Sequence, residues 1–250
     1  MKVAVMCKDK LKSALENLKR ECIKVIPCSQ GFSPEHAADI RFGGSAYAEK
    51  DEEKHICPNC GKPLTFVFQY REKYDKSFRP SGSLYSVYYC FDCMPIGRPS
   101  EEQGQWAVIE HKNADASKFV AGYGDNGTIK PCDCELQRVN ILPDYETLEE
   151  KYPDVASMCE ELDEEDPMAA YEDVANELGF VTQPGTVLGG YPIWLQGEGS
   201  QVCPVDKGEM EFCAQIDSEE MANLMFGDAG CLYVFRCKEH NKFEIEMQCF

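Results

Sequence analysis

Residues 57–70 of the chain, Cys-Pro-Asn-Cys-Gly-Lys-Pro-Leu-Thr-Phe-Val-Phe-Gln-Tyr, have a counterpart 146 residues later, at 203–216. Within the two stretches a Cys-Pro pair, an apolar residue, a phenylalanine and a glutamine recur at identical spacing. The match extends back to Gly43-Gly44 and Gly189-Gly190, and forward into a second cysteine-containing strand. A period this long indicates a duplicated domain and not a solenoid, whose units run from about 20 to 50 residues.

The first copy contains two Cys-x-x-Cys pairs, Cys57 with Cys60 and Cys90 with Cys93. Zinc takes four ligands in a tetrahedron and binds thiolates well, and a two-residue gap lets one tight turn direct two sulfurs at one point. The sequence therefore predicts that zinc is the cofactor and that these four cysteines are its ligands. The alternative is a set of reduced cysteines packed in a half-buried hairpin, since cysteine packs as a small apolar residue.

Strand-forming residues separate the two cysteine pairs. Residues 64–70 and 84–89 are rich in β-branched and aromatic residues, whereas 71–83 contains Pro80 and Gly82 and is interpreted as a loop. Pairing the two strands as an antiparallel hairpin brings the cysteine pairs together at its open end. Such an arrangement is typical of a zinc ribbon.

The second copy offers a candidate second metal site made of Cys203, Asp206, Cys237 and His240. Its two cysteines align with the first cysteine of each pair, and all four residue types are accepted by zinc. Aspartate is an uncommon structural ligand, however. A hairpin that has lost its metal and is held by packing is therefore the alternative, and the sequence leaves both open.

The predicted class is α+β with mainly antiparallel sheet, internally duplicated, each half carrying a zinc-ribbon-like β-hairpin. At 250 residues the chain can bury a sizeable core. The repeat sets three boundaries. Residues 1–112 form the first half with its four cysteines, 113–165 a connecting region with an acidic segment, and 166–250 the second half with a degenerate hairpin.

Each half is predicted to begin with a helix. The first covers Lys10–Glu21, where leucines recur at helical spacing. The second has Asp166 as its N-cap, Pro167 in its first turn and Gly179 at its end. Its apolar face is predicted to comprise Met168, Tyr171, Val174, Ala175 and Leu178.

The formal net charge of −19 is concentrated in one segment. Residues 144–177 contain 14 acidic residues and one basic residue, Lys151, which gives −13 and leaves −6 for the rest. Such a segment repels nucleic-acid phosphates, so no nucleic-acid partner is expected. It could attract a basic protein surface, although the more frequent role of such a segment is a solvated face that maintains solubility.

Signatures of catalysis and of secretion are missing from the sequence. No phosphate-binding P-loop, serine-hydrolase elbow or zinc-protease motif occurs, and the chain has only four histidines. The N-terminus turns polar too early for a signal core, and no apolar run is long enough to span a bilayer, so no membrane partner is expected. The fifteen cysteines are then expected to be reduced, which favours the cytoplasm. Cys132 and Cys134 are too close in sequence for a standard zinc pair, and their role stays open.

From Leu188 the sequence reads Leu-Gly-Gly-Tyr-Pro-Ile-Trp, and residues 226–235 read Phe-Gly-Asp-Ala-Gly-Cys-Leu-Tyr-Val-Phe. Together with Gln-Ile-Asp-Ser at 215–218, these strings resemble the bacterial YwqG-like family over residues 136–250. That family has no settled biochemical activity, so the resemblance implies no reaction. The glycine-glycine segment and cysteine hairpin are also similar to the programmed cell death protein 2 family. This similarity implies zinc-binding hairpins and the escort of a ribosomal protein, but Asp206 stands where a second cysteine is expected.

Two hypotheses about function follow. The favoured one is a non-enzymatic cytoplasmic protein-interaction module in which zinc holds a hairpin and an acidic face receives a basic protein, as a chaperone-like or immunity-type protein. The alternative is a small-molecule-binding protein or enzyme with a pocket between the two halves, where ligand sites often form. Convergence of Asp228, Gln215 and Gln69 on a concave apolar pocket would favour the alternative. Whether Asp228 and Trp194 are structural or functional is not decided by the sequence.

Overall fold

The computed structural model describes most of the chain: residues 2–31, 36–99, 103–120, 125, 127–183, 185–197, 199 and 201–250, with the backbone alone for residues 2–6. The helices in these residues are α1 (Lys2–Leu18), α2 (Tyr145–Lys151), α3 (Pro153–Leu162) and α4 (Pro167–Glu177). The strands are β1 (Arg20–Gln30), β2 (Arg41–Phe42), β3 (Thr65–Tyr74), β4 (Pro80–Tyr89), β5 (Trp106–His111), β6 (Cys132–Ile141), β7 (Val187–Leu188), β8 (Glu211–Asp217), β9 (Cys231–Cys237) and β10 (Lys242–Gln248).

These strands form one antiparallel sheet in the order β10-β9-β8-β7-β1-β6-β2-β3-β4-β5. The order is symmetric, because each side of the central β1–β6 pair has a two-residue strand, a hairpin and a final strand. The two ends of the sheet approach each other where Gly97, which follows β4, exchanges two backbone hydrogen bonds of 2.8 Å with Met247 of β10. The result is a nearly closed, barrel-like sheet, which confirms the expected α+β class with mainly antiparallel sheet.

Both sides of the sheet contribute to one apolar core. Phe68 and Val87 of hairpin β3–β4 lie in the same buried cluster as Ile216 and Val234 of hairpin β8–β9, and each is at most 1% exposed. Burying a side chain of this size stabilises a fold by about 1.5–3 kcal/mol. Since β6 of the connecting region pairs with β1 and β2, all three predicted regions enter one sheet, and the boundaries at 112 and 165 stay a prediction.

The four helices pack around a second apolar cluster, which includes Leu11, Leu15 and Leu148. The first predicted helix is present, but it begins at Lys2 and ends at Leu18 instead of Glu21. It stops early because Arg20 already pairs with Ile141 in the central ladder. In the part of the chain that the structure describes, no helix is both long enough and apolar enough to cross a membrane.

Helix α4 begins and ends where the sequence predicts. The carboxylate of Asp166 accepts a hydrogen bond of 2.9 Å from the N–H of Ala169, and Gly179 beyond the end has φ of +71°. The predicted apolar face is wrong at one position, because the side chain of Met168 is 52% exposed. The face that enters the core begins one turn later, at Tyr171.

The predicted loop 71–83 is much shorter in the structure. Strand β3 continues to Tyr74 and β4 begins at Pro80, so the turn is confined to residues 75–79. The carboxylate of Asp75 accepts hydrogen bonds from the N–H groups of Ser77 and Arg79, and this turn lets the polar ends of both strands keep pairing.

Gly189 and Gly190 provide a matched test of packing. Both have positive φ, +72° and +81°. A Cβ at Gly190 would lie 2.5 Å from a methyl carbon of Ile141 and 2.9 Å from Cβ of Cys22, whereas a Cβ at Gly189 would meet nothing within 4 Å. We expect Gly190→Ala to lower the free energy of unfolding by about 3 kcal/mol and Gly189→Ala by about 1 kcal/mol, the conformational cost alone. Chemical denaturation of both variants measures this, and equal losses would contradict the packing.

Candidate metal centre

The four cysteines of the first copy lie together at the open end of hairpin β3–β4. Their sulfur atoms are all within 4.8 Å of one another, with 3.7 Å between Cys57 and Cys93 and 3.6 Å between Cys60 and Cys90. A tetrahedral ion with metal–sulfur bonds of about 2.3 Å places its sulfurs about 3.8 Å apart. The four thiols therefore fit the ligand shell of one metal ion.

Two tight turns direct these sulfurs inward. In the first, the N–H of Cys57 donates to the carbonyl of Lys62 and the N–H of Gly61 donates to the carbonyl of Cys57, both at 2.8 Å. Gly61 has φ of +70°, the left-handed conformation that glycine adopts without strain. In the second, the N–H of Met94 donates to the carbonyl of Cys90 at 2.8 Å. Each turn is thus closed by backbone hydrogen bonds.

The surroundings favour ionisation at the half-buried sulfur of Cys93 and oppose it at the buried sulfur of Cys90. Nδ2 of Asn59 donates a hydrogen bond of 3.1 Å to the sulfur of Cys93 and lowers the pKa of that thiol to about 7. Burial instead raises the pKa of Cys90 to about 12. Because metal ions bind the thiolate, binding a metal here would release the proton that Cys90 holds at neutral pH.

The chain that leaves the second cysteine turn continues as a strap, residues 94–99, across the ends of the sheet. In addition to the Gly97–Met247 pair, Nε of Arg98 lies 2.8 Å from a carboxylate oxygen of Glu246, whose side chain is 7% exposed. The carbonyl of Pro95 accepts a hydrogen bond of 2.6 Å from the hydroxyl of Tyr89. The cysteine cluster is therefore connected, through the three residues between Cys93 and Gly97, to the contact that closes the sheet.

A second cluster occupies the corresponding end of hairpin β8–β9. Nδ1 of His240 lies 3.5 Å from the sulfur of Cys203, 3.4 Å from that of Cys237 and 3.7 Å from an oxygen of Asp206. Zinc bonds of about 2.3 Å to sulfur and about 2.0–2.1 Å to nitrogen give a sulfur–nitrogen separation of about 3.5 Å. The structure thus brings together all four residues predicted for the second site, in a geometry that could hold a metal ion.

The two clusters share a pattern of burial. Cys57 and Cys90 are buried, as are Cys203 and Cys237, whereas the other residues of both clusters are exposed or half-buried. In the second cluster Lys207 takes the place of Gly61 and has φ of +63°. The N–H of Gly208 donates to Asp206 at 3.0 Å and holds the pKa of that carboxyl low, so Asp206 is ready to act as an anionic ligand.

Replacing His240 by alanine tests the second cluster. We expect the variant to lose about one bound metal ion per chain and to keep the ion of the first cluster, because only the second cluster loses a ligand. Elemental analysis of purified protein measures the loss, with Glu239→Ala in the same turn as the matched control. An unchanged metal content in His240→Ala would show that the second cluster holds no metal.

Other predicted residues do not converge on a site. The side-chain amide of Gln69 bonds to the backbone of Ala37, Asp39 and Tyr47, and that of Gln215 bonds to Ile193 and Cys231 in the other half. Each glutamine thus hydrogen-bonds to the backbone of the segment that precedes its own hairpin.

Asp228 and Trp194, which the sequence left undecided, have different environments. Asp228 has an exposed side chain, and Trp194 is 9% exposed with its ring centroid 4.5 Å from that of Tyr233. We therefore interpret Trp194 as a core residue.

The two cysteines whose role the sequence left open lie on β6. Cys132 is buried and Cys134 half-buried, one on each side of Asp133.

Two features of the metal centre could not be identified from the sequence. Asn59 lies inside the first Cys-x-x-Cys pair, so its nearness to Cys93 follows once the hairpin closes. The ion pair of Arg98 with Glu246 joins residues 148 positions apart and has no sequence signal.

A comparison with models of protein families gives a match. A family model described as "Domain of unknown function" matches residues 40–242, which is most of the chain and includes both clusters. No protein with a curated description matches the chain.

Proposed function

Because the chain belongs to the DUF1963 family, a domain of unknown function, we propose its function from the cysteine cluster and the surface: it is a non-enzymatic, zinc-binding protein-interaction module that engages a basic protein. The observation that carries the zinc assignment is the set of sulfur separations of 3.6 and 3.7 Å in the first cluster. A chaperone-like escort and an immunity-type protein are both roles of this kind.

Zinc is the metal that suits this donor set best. Four thiolates in a tetrahedral arrangement at the ends of two tight turns are typical of structural zinc sites. Such a site is closed, because all four coordination positions belong to the protein and none is left for water. The first cluster would therefore stabilise hairpin β3–β4 and the strap, and would not activate a substrate.

The second cluster is proposed as a weaker zinc site. Its carboxylate and imidazole replace two thiolates, and the side chains of Asp206 and His240 are 42% and 32% exposed. Exposed ligands lose more side-chain freedom on binding and compete with water, so we expect this ion to be removed first by a chelator.

An internal duplication is supported by contacts that recur at the offset of the sequence repeat. Gly43 donates its N–H to the carbonyl of Val67 at 3.0 Å, and Gly189, 146 residues later, donates to that of Cys213 at 2.9 Å. Both hairpins also have a register shift two residues into the paired region, between Phe66/Phe68 and between Phe212/Ala214. We infer that both are zinc-ribbon-like hairpins of one duplicated unit.

The ladder register corrects one detail of the repeat. Ser86 is opposite Gln69, and Tyr233 is opposite Gln215, so the second strands of the hairpins correspond at an offset of 147. Matching by residue type instead aligns Leu84-Tyr85 with Leu232-Tyr233, at an offset of 148.

The surface that would receive a basic partner consists of α2, α3 and α4, with the loops between them. Of the 14 acidic residues between positions 144 and 177, all but Asp144 and Glu172 are exposed, which leaves 12. Lys8 and Lys12 of α1 pair with one of these, Glu177, at 2.5 and 2.9 Å. A concentration of exposed negative charge on one set of helices would speed association with a cationic protein surface.

The resemblances point in the same direction. Similarity to the programmed cell death protein 2 family implies escort of a ribosomal protein, and ribosomal proteins are a basic class. The resemblance to the YwqG-like family does not suggest an enzymatic reaction, because that family has no settled biochemical activity. Reduced thiols in both clusters suit a cytoplasmic location, where disulfides seldom persist.

The triple variant Glu160→Gln/Glu164→Gln/Glu165→Gln tests the acidic surface. We expect it to bind a compact basic protein, with cytochrome c as the probe, about tenfold more weakly at low ionic strength, and we expect wild-type binding to weaken steeply with added salt. Fluorescence anisotropy with labelled cytochrome c measures both effects.

The matched control removes the same charge elsewhere, with Glu135→Gln/Glu220→Gln/Asp228→Asn, all at exposed positions. The control should bind cytochrome c within about twofold of wild type, since charges beyond a Debye length are screened. Equal weakening in the two triple variants would mean that net charge alone matters. That result would contradict a dedicated surface.

A further inference from the structure

A cavity of about 880 Å³ lies between helix α2 and hairpin β8–β9. Lys151 of α2 lines it, as do Phe212 of β8 and Phe235 of β9. Gly189 and Gly190 also line it, and their lack of side chains adds to its volume. The volume lies within the range of small-molecule sites, which runs from about 300 to 1,000 Å³.

Much of the wall of this cavity is aromatic. The rings of Trp194 and Phe235 are nearly parallel, with 11° between their planes and 6.0 Å between their centroids. The ring of Phe212, which is half-buried, lies 5.7 Å from that of Phe235. Aromatic side chains offer a large apolar area and pack well against a further ring. The wall therefore suits a planar aromatic ligand. Five aromatic residues line the cavity in all: Tyr152, Tyr191, Trp194, Phe212 and Phe235.

Arg20 places a cation at the edge of this wall. The central carbon of its guanidinium lies 3.9 Å from the ring centroid of Tyr191, which is within the range of a cation–π contact. The ring of Tyr191 is itself held, because its hydroxyl donates to the carbonyl of Leu18 at 2.8 Å. Arg20 is exposed, lines the cavity and donates to the carbonyl of Gly190 at 3.4 Å. Within the described residues no carboxylate pairs with Arg20, so its charge is available to a ring in the cavity.

The first half of the chain contains an arginine that contacts two rings. The guanidinium carbon of Arg41 lies 5.8 Å from the ring centroid of Phe66 and 5.9 Å from that of Phe119. Arg20 contacts one ring among the described residues, that of Tyr191. A planar guanidinium can stack with aromatic faces on both of its sides. A ligand that enters the cavity can therefore supply a second ring to Arg20.

We propose that this cavity binds a small, uncharged, planar aromatic molecule whose ring stacks on the guanidinium of Arg20. An electron-rich fused ring such as indole gives the strongest cation–π contact. An uncharged ligand fits because the other charged side chains of the wall are of both signs: Lys151, Lys207, Glu209 and Glu211. This inference goes beyond the proposed interaction module and does not depend on it.

Ligand-detected NMR titration with indole tests the proposal. For nine heavy atoms we expect a dissociation constant of about 1 mM or lower. No binding of indole at 10 mM (about ten times the expected constant) overturns the proposal.

Benzyl alcohol and cyclohexylmethanol, which differ only in the aromaticity of the ring, test the stacking in wild-type protein. Burial of apolar area alone would favour the saturated ring, whose apolar surface is at least as large. A contact with Arg20 favours the aromatic ring, so we expect benzyl alcohol to bind about threefold more tightly. Equal or tighter binding of cyclohexylmethanol overturns the stacking.

Arg20→Met removes the cation and keeps the length of the side chain. We expect this variant to bind indole about fivefold more weakly and cyclohexylmethanol within about twofold of wild type, because only the aromatic ring loses a contact with the charge. Lys19→Met is the matched control, since it removes the neighbouring cation, which does not line the cavity. It should keep the wild-type affinity for indole. Unchanged indole affinity in a folded Arg20→Met variant overturns the assignment of the cavity.

Discussion

Replacing Cys57 by serine is expected to remove the metal ion from the first cluster and to lower the free energy of unfolding by about 3–5 kcal/mol. Ligand loss has this effect because a site that forms only in the folded chain adds its binding free energy to folding. Denaturation with and without a chelator separates the metal from packing, since Cys57 is fully buried and serine is also a poor substitute in the core.

Two exposed cysteines, Cys60 of the first cluster and Cys28 outside it, provide the controls. Without chelator, Cys60→Ser should be less stable than wild type, and with chelator the two should be equally stable. Cys28→Ser should match wild type under both conditions. If the chelator leaves wild-type stability unchanged, and Cys57→Ser matches wild type under both conditions, the zinc hypothesis is wrong.

Metal removal should also loosen the closure of the sheet. The strap begins immediately after Cys93. In it, the N–H of Gly97 donates to the carbonyl of Met247, and the N–H of Met247 donates to the carbonyl of Gly97. Hydrogen exchange at these two amides is expected to accelerate in the apoprotein, because their pairing depends on the position of the second cysteine turn. Unchanged protection of the pair would show that the strap is held without the metal.

Replacing Arg236 by methionine should have the second large effect, a loss of about 2–4 kcal/mol. The guanidinium, in a side chain that is 13% exposed, donates to the hydroxyl of Tyr85 at 2.5 Å and lies 3.5 Å from the carboxylate of Glu110. It connects β9 to β4 and β5, on the opposite side of the sheet. Without it, Glu110 remains a nearly buried anion that has lost its cation, and that is the costly state.

A double variant distinguishes charge from packing at this contact. Glu110→Gln in the Arg236→Met background removes the stranded charge, so it should restore about half of the lost stability. Urea denaturation of both single variants and of the double variant gives the coupling. A loss below about 1 kcal/mol in Arg236→Met would mean that the contact behaves as a surface ion pair and does not hold the two sides together.

The local parts of the fold could be predicted because their signals are local. The Asp166 cap and Gly179 bound α4, and the hairpin strands follow from runs of β-branched and aromatic residues between the cysteine pairs. The cysteine spacing identified the first cluster, since a Cys-x-x-Cys turn positions its two sulfurs through its own backbone, and the sequence repeat then located the second.

Contacts between distant residues determined what could not be predicted. Helix α1 ends at Leu18 because the strand after it pairs with β6, and nothing in the helix itself ends it there. The strap and the Arg236 contact join opposite ends of the sheet, so they appear only when ten strands are nearly closed.

Zinc content tests the central claim most directly. Elemental analysis of untagged wild-type protein and of Cys57→Ser/Cys60→Ser, purified in parallel, should find at least about one zinc ion per chain in the wild type, as a closed thiolate site retains its metal. The double variant should contain about one ion fewer. Absence of zinc from the wild type, or the same content in both proteins, would contradict a zinc centre at the open end of hairpin β3–β4.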